Sequence, residues 1–538
     1  MSDHSPPPEH EVVRGARRLI RQSGTTSVAA GAAVVSGLVL DVAIAATLGA
    51  NVSSDAFFAA ATIPLGIVAI VMVGANQALV PAISTWLVRK DEAETWRLVS
   101  AIFNLTALLG GLLTVAAIAL AGPLMRATAP GFEPSTVSLA AATARIMILV
   151  APLVALAEVL RALLNARHRF AAPAAMNVVM NGVAAGAVVL VAGADPRGIA
   201  WAYVIGAAAQ LVFMVAMALR GGWRWKATLA VRDPDVRATG RLLVRPLAGA
   251  GLNPLARVGE QMFVSFLPAG SLTIMRYGYR LVSAIGGAVL FRSVMVVLLP
   301  RLTKATAAGD EREVRQLTRL GFRIMLVLTV GLTAVMAVLA KPAAIALFHR
   351  GRFTRDEAAL LGVTLAVYAA SVPGSGIQRS LLAPFFARLD TSTPLRNTLY
   401  GVVANLALVP VCIAFFGHTD RAVIGVAIAY SVAQYVNVGH AWARLRATGI
   451  PIAGLGRMLA PLLVAAAAST AVMVGGSAAL HLSAPHHRLA LLVQTALVGL
   501  VGAGVFGGVA ALLGLDDLRR LRRAGPSQPE PEPGPRPA

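Results

Sequence analysis

The stretch Leu79–Glu92, LVPAISTWLVRKDE, returns as Leu298–Glu311, LLPRLTKATAAGDE, about 220 residues further on, with Pro81 answering Pro300 and Asp91 answering Asp310. Two more pairs keep nearly the same offset. AGPLMRATAPGF around Pro123 matches AKPAAIALFHRGRF around Pro342, and ARHRFAAP ending at Pro173 matches ARLDTSTP ending at Pro394. Three anchors at nearly constant spacing are hard to obtain by chance, so the chain contains an internal duplication.

Between the anchors run continuous apolar stretches, each long enough, at about 20 residues, to cross a ~30 Å hydrocarbon core. Fourteen spans are expected: 25–49, 57–85, 98–122, 138–163, 172–192, 198–220, 240–267, 273–302, 317–340, 357–386, 394–415, 421–445, 456–479 and 490–514. The runs are continuous rather than alternating, which excludes a β-barrel. The expected fold is an all-α integral membrane protein. Each copy of the repeat holds six spans, an even number, so the two copies share one topology. They are then related by a pseudo-two-fold axis along the membrane normal, an arrangement suited to alternating access around a central site. Residues 25–220 form an N-lobe, 221–239 a cytoplasmic linker and 240–446 a C-lobe. Spans 13 and 14, within 447–514, fall outside the repeat. The ends, 1–24 and 515–538, read as polar cytoplasmic tails, the second disordered.

Composition agrees. Apolar residues make up 57% and charged residues 13% of the 538, against about 25% charged in soluble domains. So few charges cannot cover a water-facing surface, which excludes a soluble enzyme and a disordered chain. One cysteine, Cys412, excludes a disulfide framework and a cysteine-based zinc site. The nine histidines show no metal-binding spacing, and no cofactor is expected. Met1–Gln22 is polar and Pro-rich, and the first apolar run is too long for a signal peptide's core.

The net charge is +22, from 47 Arg and Lys against 25 acids, and only four of the 47 are Lys. In a membrane protein such an excess belongs to cytoplasmic loops rather than to nucleic-acid binding. With the N-terminus inside, 33 basic residues fall on cytoplasmic segments, eight on outer ones and six within spans. That imbalance supports fourteen spans with both ends cytoplasmic.

An ionisable group at mid-membrane costs ~2.5–3.5 kcal/mol and needs a partner or an aqueous cavity. Arg276 and Arg280, four apart in span 8, share a face. Arg257 and Glu260, three apart in span 7, suit an intrahelical pair. Arg292 lies further along span 8, Asp41 is in span 1, and Asp55 sits where span 1 meets span 2. Arg145 and Glu158 are in span 4 and Arg379 in span 10. The densest group, Arg257 to Arg292, opens the second lobe. Read functionally it is an anion site, because guanidinium forks bind phosphate oxygens bidentately and stay charged when desolvated. Read structurally it is a set of interhelical salt bridges or snorkelling arginines. Asp55 also suits a cap of its own helix.

GANVSSDAFFAAATIP (49–64), GANQALVP (74–81), SLTIMRYGYRL (271–281), FHRGRFTRDEA (348–358) and LLAPFFARLDTSTPLRN (381–397) resemble, taken in order, the MviN/MurJ family of lipid II flippases, of the multidrug/oligosaccharidyl-lipid/polysaccharide exporter superfamily. The resemblance runs from about Thr25 to Arg446. It implies fourteen helices in two lobes around a cationic cavity, with a lipid-tail groove formed by spans 13 and 14. It also implies an undecaprenyl-diphosphate-linked peptidoglycan precursor carried from inner to outer leaflet of a bacterial plasma membrane, beside cell-wall synthesis or division proteins. Asp55 matches the family's acid at the start of helix 2, and Arg280 the arginine of its helix-8 motif. The sequence departs elsewhere. Where the family carries arginines in helix 1 this chain has Ser36–Gly37 and Leu40–Asp41. The middle of span 2 reads Gly66–Ile67–Val68 without charge, the family's Glu–Gly–Ala step is lost around Met72–Gly74, and Tyr279 replaces an acid. Arg280, Arg276, Arg257, Arg292, Asp55 and Asp41 are therefore the expected substrate-binding residues, for lipid II or another lipid-linked glycan.

Rival classes fit less well. A membrane glycosyltransferase needs long outer loops, and the longest here, Lys341–Asp356, is short. A drug exporter of the same superfamily would have an acidic cavity. A non-transporting scaffold of envelope synthesis is the remaining alternative. Topology gives a direct test. Reporters fused after Gly222 and Gly525 should read cytoplasmic, and one inserted at Gly351 extracytoplasmic; a cytoplasmic signal at Gly351 breaks the map.

Overall fold

In a computed structural model of the chain, residues 31–286, 292–450, 455–482 and 488–515 are described. The tails expected at 1–24 and 515–538 lie outside these residues, Leu515 excepted. The chain is all-α; among the described residues the only extended pairing is a single bridge, Arg350 to Phe353.

Twelve helices of the described residues are long and apolar enough to cross a membrane. In the first copy they are α1 (Gly31–Leu48), α2 (Val52–Arg89), α3 (Glu92–Thr128), α4 (Pro134–Ala166), α5 (Ala171–Leu190) and α6 (Pro196–Arg220). The span expected as one continuous helix at 240–267 is instead an interrupted pair, α7 (Pro234–Ala250) and α8 (Leu252–Val264). Of the span expected at 273–302 the parts α9 (Ser271–Ser283) and α10 (Arg292–Ala307) are seen, with 287–291 outside the described residues. Then follow α11 (Glu311–Phe348), α12 (Arg355–Ala387), α13 (Ser392–Phe416), α14 (Ala422–Ala447), α15 (Met458–Ala479) and α16 (Arg488–Leu512).

By length and composition twelve of the expected spans qualify among the described residues; over 240–267 the reason is local chemistry, and 273–302 includes residues outside the described ones. α7 starts six residues before the expected span, at Pro234, and carries Arg237, Arg241 and Arg245. Glycine-rich sequence, Gly249–Ala250–Gly251, ends it, and Pro254 sits in the first turn of α8, the one place in a helix where its missing N–H is harmless. α9 holds Arg276 and Arg280 within thirteen residues.

The duplication read from the anchors is physical. Asp91 caps α3, its Oδ1 accepting from Glu94 N at 2.6 Å, and Asp310 caps α11, its Oδ1 accepting from Glu313 N at 2.8 Å. α4 breaks at Ile148–Leu149 and α12 at Ala370. Pro152 and Pro373 follow these breaks, each unable to donate to the carbonyl four residues back. The packing repeats as well. α2 rests on α4, α3 on α4, α4 on α6 and α5 on α6. In the second copy α9 and α10 rest on α12, α11 on α12, α12 on α14 and α13 on α14. α15 and α16 pack on each other and on α11, where Ser469 Oγ donates to Gly502 O at 2.8 Å. In lipid, where burial of apolar surface gives no drive, such close contacts and interhelical bonds hold helices together.

Two connections are tied down by polar groups outside the spans. The linker expected at 221–239 folds back on the first copy: Trp225 Nε1 donates to Asn104 Oδ1 at 2.9 Å, and Lys90 and Arg97 pair with Asp235 and Asp233 at 2.8 and 2.6 Å. Asp390 accepts from the hydroxyls of Thr393 and Ser392 at 2.6 and 2.7 Å and from both their backbone N–H groups. These bonds, the Thr393 hydroxyl first, hold its carboxyl down at about 2. A depressed value means its stabilisation is complete above the ordinary carboxylate range and lost as pH falls toward 2.

The caps give a stability test. Asp310→Ala removes the acceptor at the start of the 38-residue α11 and should cost ~1 kcal/mol, read as a lower thermal midpoint of the detergent-solubilised protein. Asp310→Asn should retain most of that stability; equal losses would remove the capping argument.

Candidate functional site

The two copies meet at the end of the molecule that carries the α1–α2 turn. Asn51, not Asp55, caps α2, accepting from Ser53 N at 2.8 Å and completing a capping box with Ser54. That frees Asp55 for a longer reach. Its Oδ2 accepts from Gly270 N at 2.7 Å, and its Oδ1 from Thr273 N at 2.8 Å and Thr273 Oγ1 at 2.6 Å. Asp55 therefore caps α9 across the copies and satisfies N–H groups that the helix itself leaves unpaired. Gly270 must be glycine for this: its φ is +91°, and a Cβ there would meet Ala50 O at 2.5 Å. Around this point Arg352 N donates to Ala46 O at 2.8 Å, Gly131 N to Ser265 Oγ at 2.9 Å, and Gln261 Nε2 to Thr128 O at 3.3 Å. Backbone and short polar side chains close this end, together with buried apolar residues of both copies, Phe58 packing edge-on against Tyr277 at 5.1 Å.

One layer deeper the charges begin. Arg280 Nη1 pairs with Asp41 Oδ1 at 2.7 Å, joining α9 to α1. Asp41 is buried, while the Arg280 side chain stays 41% exposed to the cavity described below. Gly37, where an arginine was expected by resemblance, leaves Arg280 its room: a Cβ there would already lie 3.6 Å from Nη2. One turn away on α9, Arg276 Nη2 donates to Thr62 Oγ1 at 2.7 Å and to Gln261 Oε1 at 3.2 Å. Gln261 Oε1 also accepts from the Thr62 hydroxyl. Arg276 Nε is buried without an acceptor.

Beyond these residues lies a cavity of about 870 Å³, running from Thr62 and Arg276 toward Phe386 and Pro394 at the opposite end. Among the described residues Arg257, Arg276, Arg280 and Arg379 line it against a single carboxylate, Glu260. All four arginines belong to the second copy. The first copy's wall is α2, from Phe58 to Ala69, and carries no charge.

The expected residues divide accordingly. Arg257, Arg276 and Arg280 meet at the cavity. Arg257 does not pair with Glu260 as anticipated. Its guanidinium lies 3.6 Å over the Tyr279 ring, a cation–π contact, and Glu260 Oε1 accepts from Asn405 Nδ2 at 2.5 Å instead. Asp41 stands behind Arg280 as its counter-charge, and Asp55 in the closing seam; neither lines the cavity. Arg292 begins α10, and its side chain lies outside the described residues. Glu158 pairs with Arg161 on its own helix.

Sequence reasoning missed the tyrosines. Tyr279, Tyr430 and Tyr368 from three helices meet with ring centroids 5.3, 5.6 and 6.3 Å apart, and Tyr279 carries Arg257. It also missed Gln261 and Thr62, whose spacing in the chain gives no local signal. No group of three His, Cys, Asp or Glu suited to a metal occurs among the described residues.

The seam can be tested directly. Asp55→Ala deletes three hydrogen bonds to a carboxylate, each worth about 1.5–3 kcal/mol, and should shift the protein toward a form open at this end. Spin labels at the exposed Val52 and Phe266 should then show a longer distance population; an unchanged distribution would mean the seam closes without Asp55.

A family model described as lipid II flippase MurJ matches residues 44–494. A probable lipid II flippase MurJ of Vibrio cholerae serotype O1 is 26% identical over 512 residues, covering 89% of this chain and 93% of that protein. The lipid II flippase MurJ of Burkholderia cenocepacia is 26% identical over 417 residues, covering 75% and 79%. Among solved structures, a lipid II flippase MurJ in an inward closed conformation matches with a TM-score of 0.71 at 18% identity, over 90% of this chain and 98% of that one. An inward-facing multidrug resistance MATE family transporter matches at 0.59 and 16% identity, over 79% and 95%. These two likenesses concern the fold.

Proposed function

We propose that this chain, which belongs to the lipid II flippase MurJ family, moves lipid II, a polyprenyl-diphosphate-linked peptidoglycan precursor, from the inner to the outer leaflet of a bacterial plasma membrane. The observation that carries the mechanism is the cavity: four arginines against one carboxylate, between two copies of a six-helix unit, shut at one end by cross-copy hydrogen bonds. In this reading the shut end faces outward and the cavity faces the cytoplasm, with both chain ends inside, with α7–α8 crossing as a broken helix and with α9 and α10 making one further crossing.

The chemistry follows from charge. A diphosphate cannot enter hydrocarbon bare, because an isolated ion there loses its hydration. Arg280 and Arg276 offer it charge and fixed forks of donors. Arg276 lines the cavity, and Arg280 is 41% exposed beside its aspartate. With the cations all on the second copy, the diphosphate rests on that side. The saccharide and peptide then face the neutral wall of α2 and the tyrosine cluster, and the polyprenyl tail stays in lipid along α15 and α16. Rocking of the copies breaks the Asp55 seam and opens the outer end. No bond is made or broken, so no catalytic group is needed. An inside-negative potential draws the emptied cationic cavity back toward the cytoplasm, by up to ~2.3 kcal/mol per charge for each 100 mV crossed.

Arg280 is the test. Arg280→Ala should abolish translocation of labelled lipid II in proteoliposomes, and rescue of a flippase-depleted bacterium, while the protein still inserts and folds. Arg280→Lys should fail nearly as badly, since a point charge does not reproduce a bidentate fork. If Arg280→Ala instead lowers abundance or melting temperature, and Asp41→Ala restores it with transport intact, the arginine serves only as half of a structural ion pair.

A further inference from the structure

A second cavity, about 380 Å³, lies away from the first, between α3 and α4 of the first copy. Arg126, near the end of α3, and Arg145, about three turns inside α4, both line it. Both are exposed, and among the described residues neither pairs with a carboxylate. Small residues make the room: Gly122 and Arg126 sit four apart on α3, and Ser138, Ala141 and Arg145 follow one face of α4. A Cβ added at Gly122 would meet nothing within 4 Å. α4 also starts in this groove, at Pro134, with no side chain capping its free N–H groups.

The second copy shows that this groove is not a by-product of the fold. By the repeat register, Lys341, Ile345, Gly362 and Ala366 stand where Gly122, Arg126, Ala141 and Arg145 stand in the first. There the two helices close on each other: a Cβ at Gly362 would lie 2.5 Å from Lys341 Cα. Both arginines are absent and the gap is shut. The first copy has opened the same interface and placed two cations in it, one of them deep in a membrane-spanning helix where an unpaired charge is costly.

We propose that this lateral groove is a binding site for the phosphate of an anionic membrane lipid, with Arg126 and Arg145 clamping its oxygens. The groove lies beside lipid. α3 exposes Leu108, Leu109, Leu112, Leu113 and Leu120, so acyl chains can lie along it while the headgroup reaches Arg126 at the interface and Arg145 below. A soluble phosphate would have no apolar surface to cover. The site is separate from the arginine cavity and stands whether or not that cavity carries lipid II.

The test uses the full chain, purified, stripped of lipid in neutral detergent, and titrated with phosphatidylglycerol, phosphatidylcholine or inorganic phosphate while native mass spectrometry counts bound lipid. The wild type should hold one phosphatidylglycerol more than Arg126→Gln/Arg145→Gln, whose affinity for that equivalent should fall about a hundredfold or more, the loss of two charge-assisted bonds. Phosphatidylcholine binding should not change. Ser138→Leu, at an exposed position, fills the groove with both arginines intact and should lose the same equivalent, which keeps the test open if the double variant fails to fold. Equal phosphatidylglycerol counts in wild type and variants overturn the proposal. So does displacement of that lipid by millimolar inorganic phosphate, which would make the groove a site for a soluble anion.

Discussion

A guanidinium inside a membrane protein stays charged, and hydrocarbon does not solvate it. Each arginine in the membrane-spanning part must therefore be answered by an anion, a π-face, a set of dipoles or a water-filled space, and the architecture around α9 follows from how these demands are met. Arg280 takes Asp41 from α1, Arg257 takes the Tyr279 ring, and Arg276 takes the Thr62 hydroxyl and the Gln261 amide. Two of these three answers cross from one copy to the other. The charges that suit the cavity to an anion thus also hold its walls in register. On the proposed function, an incoming diphosphate competes for the same donors, which would link occupancy of the site to the contact between the copies.

The closing seam is of a different kind. It relies on Asp55, on backbone N–H groups at the start of α9 and the 129–133 turn, and on hydroxyls, set beside buried apolar side chains of both copies such as Phe58 and Tyr277, whose rings lie 5.1 Å apart. Hydrogen bonds contribute modest net stability each, yet leaving their partners buried and unmade is costly. A seam of this sort is specific when shut and separable when water enters, as a reversible gate requires. Gly270, with its positive φ and its contact on Ala50, is the point at which that geometry admits no side chain.

Duplication supplied the frame and divergence the function. The capping aspartates and the proline breaks of α4 and α12 are kept in both copies, because they fix where helices start and bend. What differs is chemistry. Among the described residues the second copy holds every cation of the central cavity, and its α11–α12 contact is shut. The first copy has a neutral cavity wall and, between α3 and α4, an open groove with two arginines. Two lobes of one topology therefore present unlike surfaces to an anion.

Chain class, repeat and helix positions were legible in the sequence because they depend on local properties: an apolar run long enough for a bilayer, a proline that cannot donate, an aspartate before a helix. The same locality told against the interrupted pair α7–α8, since hydropathy averaged over a window does not register a break at Gly251. The grouping of Arg257, Arg276 and Arg280 was readable from helical spacing. The partners Asp41 and Thr62 were not, because they lie far off in the chain and reach the site only when two copies pack face to face. Asp55 makes the point most plainly. Its neighbours in sequence mark it as a cap for its own helix, which Asn51 already caps, and only the tertiary fold brings α9, with its unpaired N–H groups, within 2.7 Å of it.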